Sequence, residues 1–193
     1  MFILEVTLMN PPNTSREEIM RVSRKIVSEK GLPALNMRTL AKECGIALGT
    51  LYNYYSDKDE LVVAAIESVW QDILEKSAPD SGVSFSQYVT HIYARILSGL
   101  KYYPDFFAAH SISVAGSAKG KARGTMERCF GKIRGELHAA LREDKNVDRS
   151  IFSETFREED LIEHILDTIT ISIINGKPDC ATLTEILDRL LYR

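Results

Sequence analysis

The sequence predicts an all-α protein. Apolar residues recur at i, i+3, i+4 and i+7 nearly throughout its 193 residues, while the alternating pattern of strands is scarce. Helix start and stop signals punctuate that pattern at regular intervals. Apolar residues make up 45% and charged residues 26%, enough to bury a sizeable core without disulfides or metals.

The first helix starts at Thr14 or Ser15. Thr14 with Glu17, or Ser15 with Glu18, has capping-box spacing, and Pro11-Pro12 lies just ahead. Ile19, Val22, Ile26 and Val27 form its apolar stripe; Gly31 ends it and Pro33 prevents its resumption. Asn36 caps a short helix, Met37 to Cys44, which Gly45 breaks. A second short helix runs from about Leu48 to Tyr54. Ser56 or Asp57 then caps a longer one, Lys58 to about Lys76, with Asp59 and Glu60 in the dipole-favoured first turn.

Ser77 to Gly82 has the composition of a linker. A helix follows from about Ser84 to Tyr102, and Pro104 resets the chain before another over Asp105 to Ala115. Gly116 to Gly124, small and basic, is expected to be a loop. A long helix covers roughly Thr125 to Arg142, and Lys145 to Ser153 is a polar connection. Glu158 to Asn175 is a strong helix closed by Gly176 and Pro178. Leu183, Ile186, Leu187, Leu190 and Leu191 form the stripe of the last.

Several function classes fall away. No apolar run reaches eighteen residues, so no membrane-spanning helix or membrane partner is expected. Met1 to Met9 lacks a basic start and holds Glu5, a poor signal peptide; either Met9 is the natural start or the segment is a short arm. Cys44, Cys129 and Cys180 are odd in number and far apart, which suits small buried residues in a reducing, cytoplasmic compartment. Gly116 to Lys121 has the spacing GxxxGK rather than that of a phosphate loop, and no strand precedes it; Lys119, Lys121 and Arg123 read as a solvated turn. Asp160, His164 and Asp167 share a helix face, but no second element completes a metal site. No nucleophile signature is present, so neither an enzyme nor a cofactor is expected.

Net charge is −3, yet its distribution is uneven. Residues 10–58 carry +3, which leaves −6 on the remainder. A basic front end on an acidic body marks where a polyanion would dock. Within it, two short helices joined by Gly45-Ile46-Ala47 have helix-turn-helix patterning. Leu40, Ala41, Cys44, Ile46, Leu51 and Tyr54 sit where crossed helices meet. The second helix of such a motif enters the DNA major groove. Its outward residues are Leu48, Gly49, Thr50, Tyr52 and Asn53. Thr50 and Asn53 can read base edges, and Tyr52 can bond a phosphate. Lys58, opening the next helix, suits a phosphate as well.

Residues 45–61, Gly-Ile-Ala-Leu-Gly-Thr-Leu-Tyr-Asn-Tyr-Tyr-Ser-Asp-Lys-Asp-Glu-Leu, closely resemble the signature of the TetR family of bacterial transcriptional repressors, within a wider match from about Thr14 to Ile73. The resemblance implies a three-helix DNA-binding head over residues 10–57 and a helical effector-binding and dimerisation body over 58–193, with 58–76 connecting them. By position, Arg38 and Thr39 approach DNA from the helix before the turn. Leu48, Gly49, Thr50, Tyr52, Asn53 and Tyr54 supply the recognition helix, and Lys58 holds a phosphate. Two departures stand out. Ala47 replaces a frequent capping Ser, and Leu48 is apolar at a commonly polar position.

The resemblance further implies an effector cavity in the body. Tyr88, Ile92, Phe106, Phe107, His110, Met126, Phe130 and His164 are its candidate lining, suited to a small apolar or aromatic molecule. The Pro104 to Phe107 stretch is the expected sensing element. The last two helices would pair two copies through Ile162, Ile165, Leu166, Ile169, Ile173, Leu183, Leu187 and Leu190, Thr168, Thr170 and Ser172 permitting close approach. The implied partners are a palindromic double-stranded operator, a small effector and a second copy. The alternatives are a helical adaptor that binds only proteins, and a small helical enzyme.

Overall fold

The computed structural model describes residues 14–74, 82–104, 106 and 119–192. Eight α-helices occupy them: α1 (Arg16–Lys30), α2 (Met37–Cys44), α3 (Leu48–Tyr52), α4 (Lys58–Leu74), α5 (Phe85–Tyr102), α6 (Lys119–Glu143), α7 (Glu158–Ile174) and α8 (Ala181–Leu191). Single 3-10 turns at Leu32–Ala34 and Arg149–Ile151 complete the order, and the described residues include no strand. None of their helices is long and apolar enough to cross a membrane.

Local chemistry explains most boundaries. The Ser15 side chain accepts from the Glu18 amide, that of Asn36 from Thr39 and that of Ser84 from Gln87, each capping a helix start. Asp57 accepts from the Glu60 amide at 2.7 Å while the Glu60 carboxylate reaches back to the Ser56 amide at 2.8 Å. Gly31 and Gly176, both at positive φ, follow α1 and α7.

Three boundaries differ from expectation. The recognition helix ends at Tyr52, two residues early, because Tyr54 and Tyr55 both turn their amides to the Leu51 carbonyl. The helix α6 begins at Lys119, so the expected loop and solvated turn at 119–124 are helical. Lys, Ala and Arg are good helix formers, and each glycine among them costs only about 1 kcal/mol. The connection at 145–153 contains a 3-10 turn and buries Val147. Apart from Phe106, the helix expected over 105–115 lies outside the described residues, as do the linker at 77–81 and the segment 1–9.

The helix α4 is the spine. It packs on α1 on the head side and on α5 and α6 on the body side. Leu61, Ala65, Ile66, Val69, Trp70 and Ile73 are all buried along it. Its approach to α5 is so close that a Cβ added at Gly99 would lie 2.6 and 2.7 Å from the two γ-carbons of Ile73. A β-branched side chain cannot swing away cheaply. Gly99→Ala is therefore expected to destabilise the protein by about 1–3 kcal/mol, although alanine is the better helix former; a urea melt measures it.

The two last helices take different supports: α7 packs on α6, whereas α8 packs on α5. The groove they leave holds about 600 Å³ and opens to solvent.

Candidate DNA-binding face

The turn between α2 and α3 is built by Gly45, at φ 67 and ψ 28. Its amide bonds the Lys42 carbonyl at 3.2 Å, and the Ile46 amide bonds Ala41 at 3.1 Å. This pair of bonds is a Schellman closure, which needs a left-handed residue, and glycine occupies that region without a steric cost. Leu40, Ala41 and Leu51 are buried where α2 crosses α3.

Everything else on α3 faces outward. Leu48, Gly49, Tyr52 and Asn53 are exposed and Thr50 is half-buried. Leu48 and Tyr52 are among the few large apolar side chains left open, at 36% and 49% exposure. A Cβ at Gly49 would meet nothing within 4 Å, so no protein packing requires glycine there.

Tyr54 and Tyr55 are turned inward. The Tyr54 hydroxyl donates to the Thr14 carbonyl, and Arg16 donates to the Tyr54 carbonyl at 2.7 Å. Tyr55 is buried, with the Arg16 guanidinium 4.9 Å from its ring centre. These contacts clamp the end of α3 to the start of α1. Tyr54 thus has its proton committed inside the head, apart from the outward set.

The charges sort cleanly. Arg21 pairs with Glu18, Lys25 with Glu29, Lys30 with Glu43 and Arg16 with Glu60. Arg24 donates to Ser68. Arg38, Lys42 and Lys58 are exposed and make no ion pair among the described residues. Three cations without an ion pair among the described residues thus stand beside α3. Arg38 and Lys42 stand one turn apart on α2 and share a face. Sequence reasoning passed over Lys42; its i+4 relation to Arg38 was the available signal. Thr39 is half-buried, its hydroxyl oxygen accepting from Asn36 at 2.9 Å.

At Ala47, φ −65 and ψ 145 have the geometry of an N-cap, with no side chain to fill it. Ala47→Ser is expected to stabilise the head by about 1 kcal/mol, read from the thermal midpoint.

The candidate effector residues do not form one set. Phe106 is buried and packs on Trp70 with ring centres 6.1 Å apart, and Phe130 packs on Trp70 at 6.3 Å. Ile92 is fully buried and Tyr88 half-buried in the α5 core. His164 is exposed on the groove between α7 and α8, away from these aromatics. Phe107, His110 and the Met126 side chain lie outside the described residues. Nor do the expected pairing residues face outward. Ile162, Ile165, Leu166, Ile169, Leu183 and Leu187 are consumed in the chain's own core, and Ile173 is half-buried. Only Leu190 is exposed, joined by Ile171, Ile174 and Ile186, at 58%, 63% and 55% exposure. An apolar stripe marks a buried face, not which neighbour covers it.

Among the described residues, a turn closed by Gly45, an outward α3 and cations without an ion pair beside it define a helix-turn-helix head on a helical body. Residues 19–65 match the family model described as bacterial regulatory proteins, tetR family. An uncharacterized HTH-type transcriptional regulator of Haemophilus influenzae is 35% identical over 75 residues, which are 37% of this chain and 40% of that protein. The chain thus spans less than half of that relative's length. The crystal structure of Mycobacterium smegmatis BioQ superposes with a TM-score of 0.58 at 19% identity, over 85% of this chain and 81% of that one. That of the multidrug binding protein EbrR complexed with imidazole gives 0.57 at 18% identity, over 92% and 95%. Both share the fold over most of the chain. The resemblance to bacterial regulatory proteins of the tetR family is thus one of residues 19–65.

Proposed function

We propose that this chain is a ligand-responsive DNA-binding transcriptional regulator, a repressor that holds a palindromic operator as a dimer and releases it on binding a small apolar or aromatic effector. The observation that carries the reading is the outward face of α3 with Arg38, Lys42 and Lys58 around it, the only cations of residues 14–58 with neither an ion pair nor an internal hydrogen bond among the described residues. Thr50, Asn53 and Leu48 would meet base edges, Gly49 would let the helix backbone approach, and Tyr52 and Lys58 would bond phosphates. Two such helices must lie about 34 Å apart to enter successive major grooves. Selection from a random oligonucleotide pool tests the reading. A palindromic winner whose affinity falls steeply with salt supports it; no enrichment by folded, ligand-free protein sinks it.

The dimer contact is assigned to the exposed residues Ile186 and Leu190 of the α7–α8 groove, which Thr168 and Ser172 also line, and to exposed Ile171. Ile186→Glu is expected to give a folded monomer by sedimentation, because its side chain supports no intrachain core. Ile165→Glu, buried in one chain, is expected to unfold the protein instead. The effector is assigned to the aromatic region around Trp70, Phe106 and Phe130. EbrR, of the same fold, is named a multidrug binding protein, which supports an apolar or aromatic ligand class. A ligand that prefers a body of different width would shift the population away from the DNA-binding spacing.

A further inference from the structure

Leu48 opens α3 and is the one large side chain in the exposed run Ala47-Leu48-Gly49. Neither neighbour shields it. Ala47 makes no side-chain cap bond, and a Cβ at Gly49 would meet nothing within 4 Å. Among residues 14–74, Leu48 and Tyr52 are the only large apolar side chains left exposed; the others of the described residues lie on α5, α7 and α8. The two are four residues apart and share a helix face. Arg38, Lys42 and Lys58 stand around that face, exposed and without an ion pair among the described residues. An apolar strip thus sits inside a cationic frame.

The frame attracts a polyanion but carries no sequence information. The strip does. In helix-turn-helix docking, the first residues of the recognition helix meet base edges. In the major groove guanine, adenine and cytosine present only hydrogen-bonding groups, whereas thymine adds a methyl group. A leucine pressed onto a donor or acceptor strips its water and returns no bond. Pressed onto a methyl group, it takes two apolar surfaces out of water together.

We propose that Leu48 is a specificity-determining residue that reads the C5-methyl group of a thymine in each half of the operator. The inference rests on the DNA-binding reading above and narrows it: the base pair facing the start of α3 is thymine with adenine. Selection works in both directions, through attraction to the methyl group and through the desolvation cost of every other edge. Tyr52 extends the apolar strip with its ring and keeps its hydroxyl for a phosphate.

The test takes the duplex selected by the full chain and replaces its thymines one position at a time by deoxyuridine, symmetrically in both halves. Each replacement removes a methyl group and leaves base pairing intact. At the position facing Leu48, affinity is expected to fall about fourfold per methyl group and about fifteenfold for the symmetric pair. Leu48→Ala is expected to bind the thymine duplex weakly and to respond to the same replacement by less than about twofold. Leu48 is exposed and supports no core, so that variant keeps the wild-type Tm. A selected duplex in which no thymine methyl group matters overturns the proposal and leaves the DNA-binding reading standing. So does a methyl group whose loss costs Leu48→Ala as much as it costs the wild type. Failure to select any duplex overturns both.

Discussion

Replacing Asp144 by alanine is expected to lower stability by about 3 kcal/mol, because two buried donors lose their acceptor together. For a chain of this length that is a fall of about 6–12 °C in Tm. Asp144 is buried just past the end of α6. One carboxylate oxygen accepts from the Phe85 amide at 2.8 Å and from the Tyr192 hydroxyl at 2.6 Å. The other accepts from the Asn146 amide at 3.0 Å. The first helical residue of α5, the end of α6 and the residue after α8 thus meet on one side chain. The Asp148 amide, bonded to the Leu191 carbonyl at 2.8 Å, ties α8 to the same corner.

The same group predicts a pH dependence. Burial alone would raise its pKa; the bonds from Tyr192, Phe85 and Asn146, with Arg149 nearby, outweigh it and hold the carboxyl below the ordinary 3.8. A folded-state pKa below the unfolded one adds stability that is present above the unfolded value and lost as pH falls through the folded one. The wild-type Tm is therefore expected to drop on acidification below about pH 4 by more than that of Asp144→Ala. Parallel acid limbs for the two proteins would remove Asp144 from the account.

Local chemistry made much of the fold legible. Ser15, Asn36 and Ser84 act within three residues of themselves, and Gly45 needs only its own φ, so their helix boundaries follow from neighbouring letters. The outward set on α3 was legible for the same reason: five residues and one turn decide which way they point. Long-range pairings carry no such mark. Nothing near Asp144 in the chain announces Phe85 or Tyr192, 59 and 48 residues away. Ile165 and Ile186 are alike as letters in amphipathic helices; one is buried and the other left to solvent, a difference that depends on how α7 and α8 are packed. Tyr54 looks like a recognition residue until the Thr14 carbonyl, 40 residues earlier, accepts its proton.

Lys58→Ala and Asn53→Ala are expected to damage DNA binding in opposite styles. Lys58 is the first residue of α4, exposed and without an ion pair among the described residues. It presents its charge at a helix start, a place suited to a phosphate. Phosphates are the same in every sequence. Its loss should weaken binding to selected and random duplexes alike and reduce the slope of log affinity against log salt by about 1. Asn53 is exposed at the end of α3 and carries no charge. Its amide can bond both edge atoms of an adenine, a contact worth about 1–3 kcal/mol against the wrong base. Asn53→Ala should therefore cost that much on the selected duplex, leave random DNA untouched and keep the salt slope. Tyr54→Phe separates both from simple damage to the head, since it removes a bond made inside the protein and should lower Tm without relaxing base preference. A loss of sequence preference in Lys58→Ala, or equal weakening on both duplexes in Asn53→Ala, would reverse the assignment of phosphate and base readers across the turn that Gly45 closes.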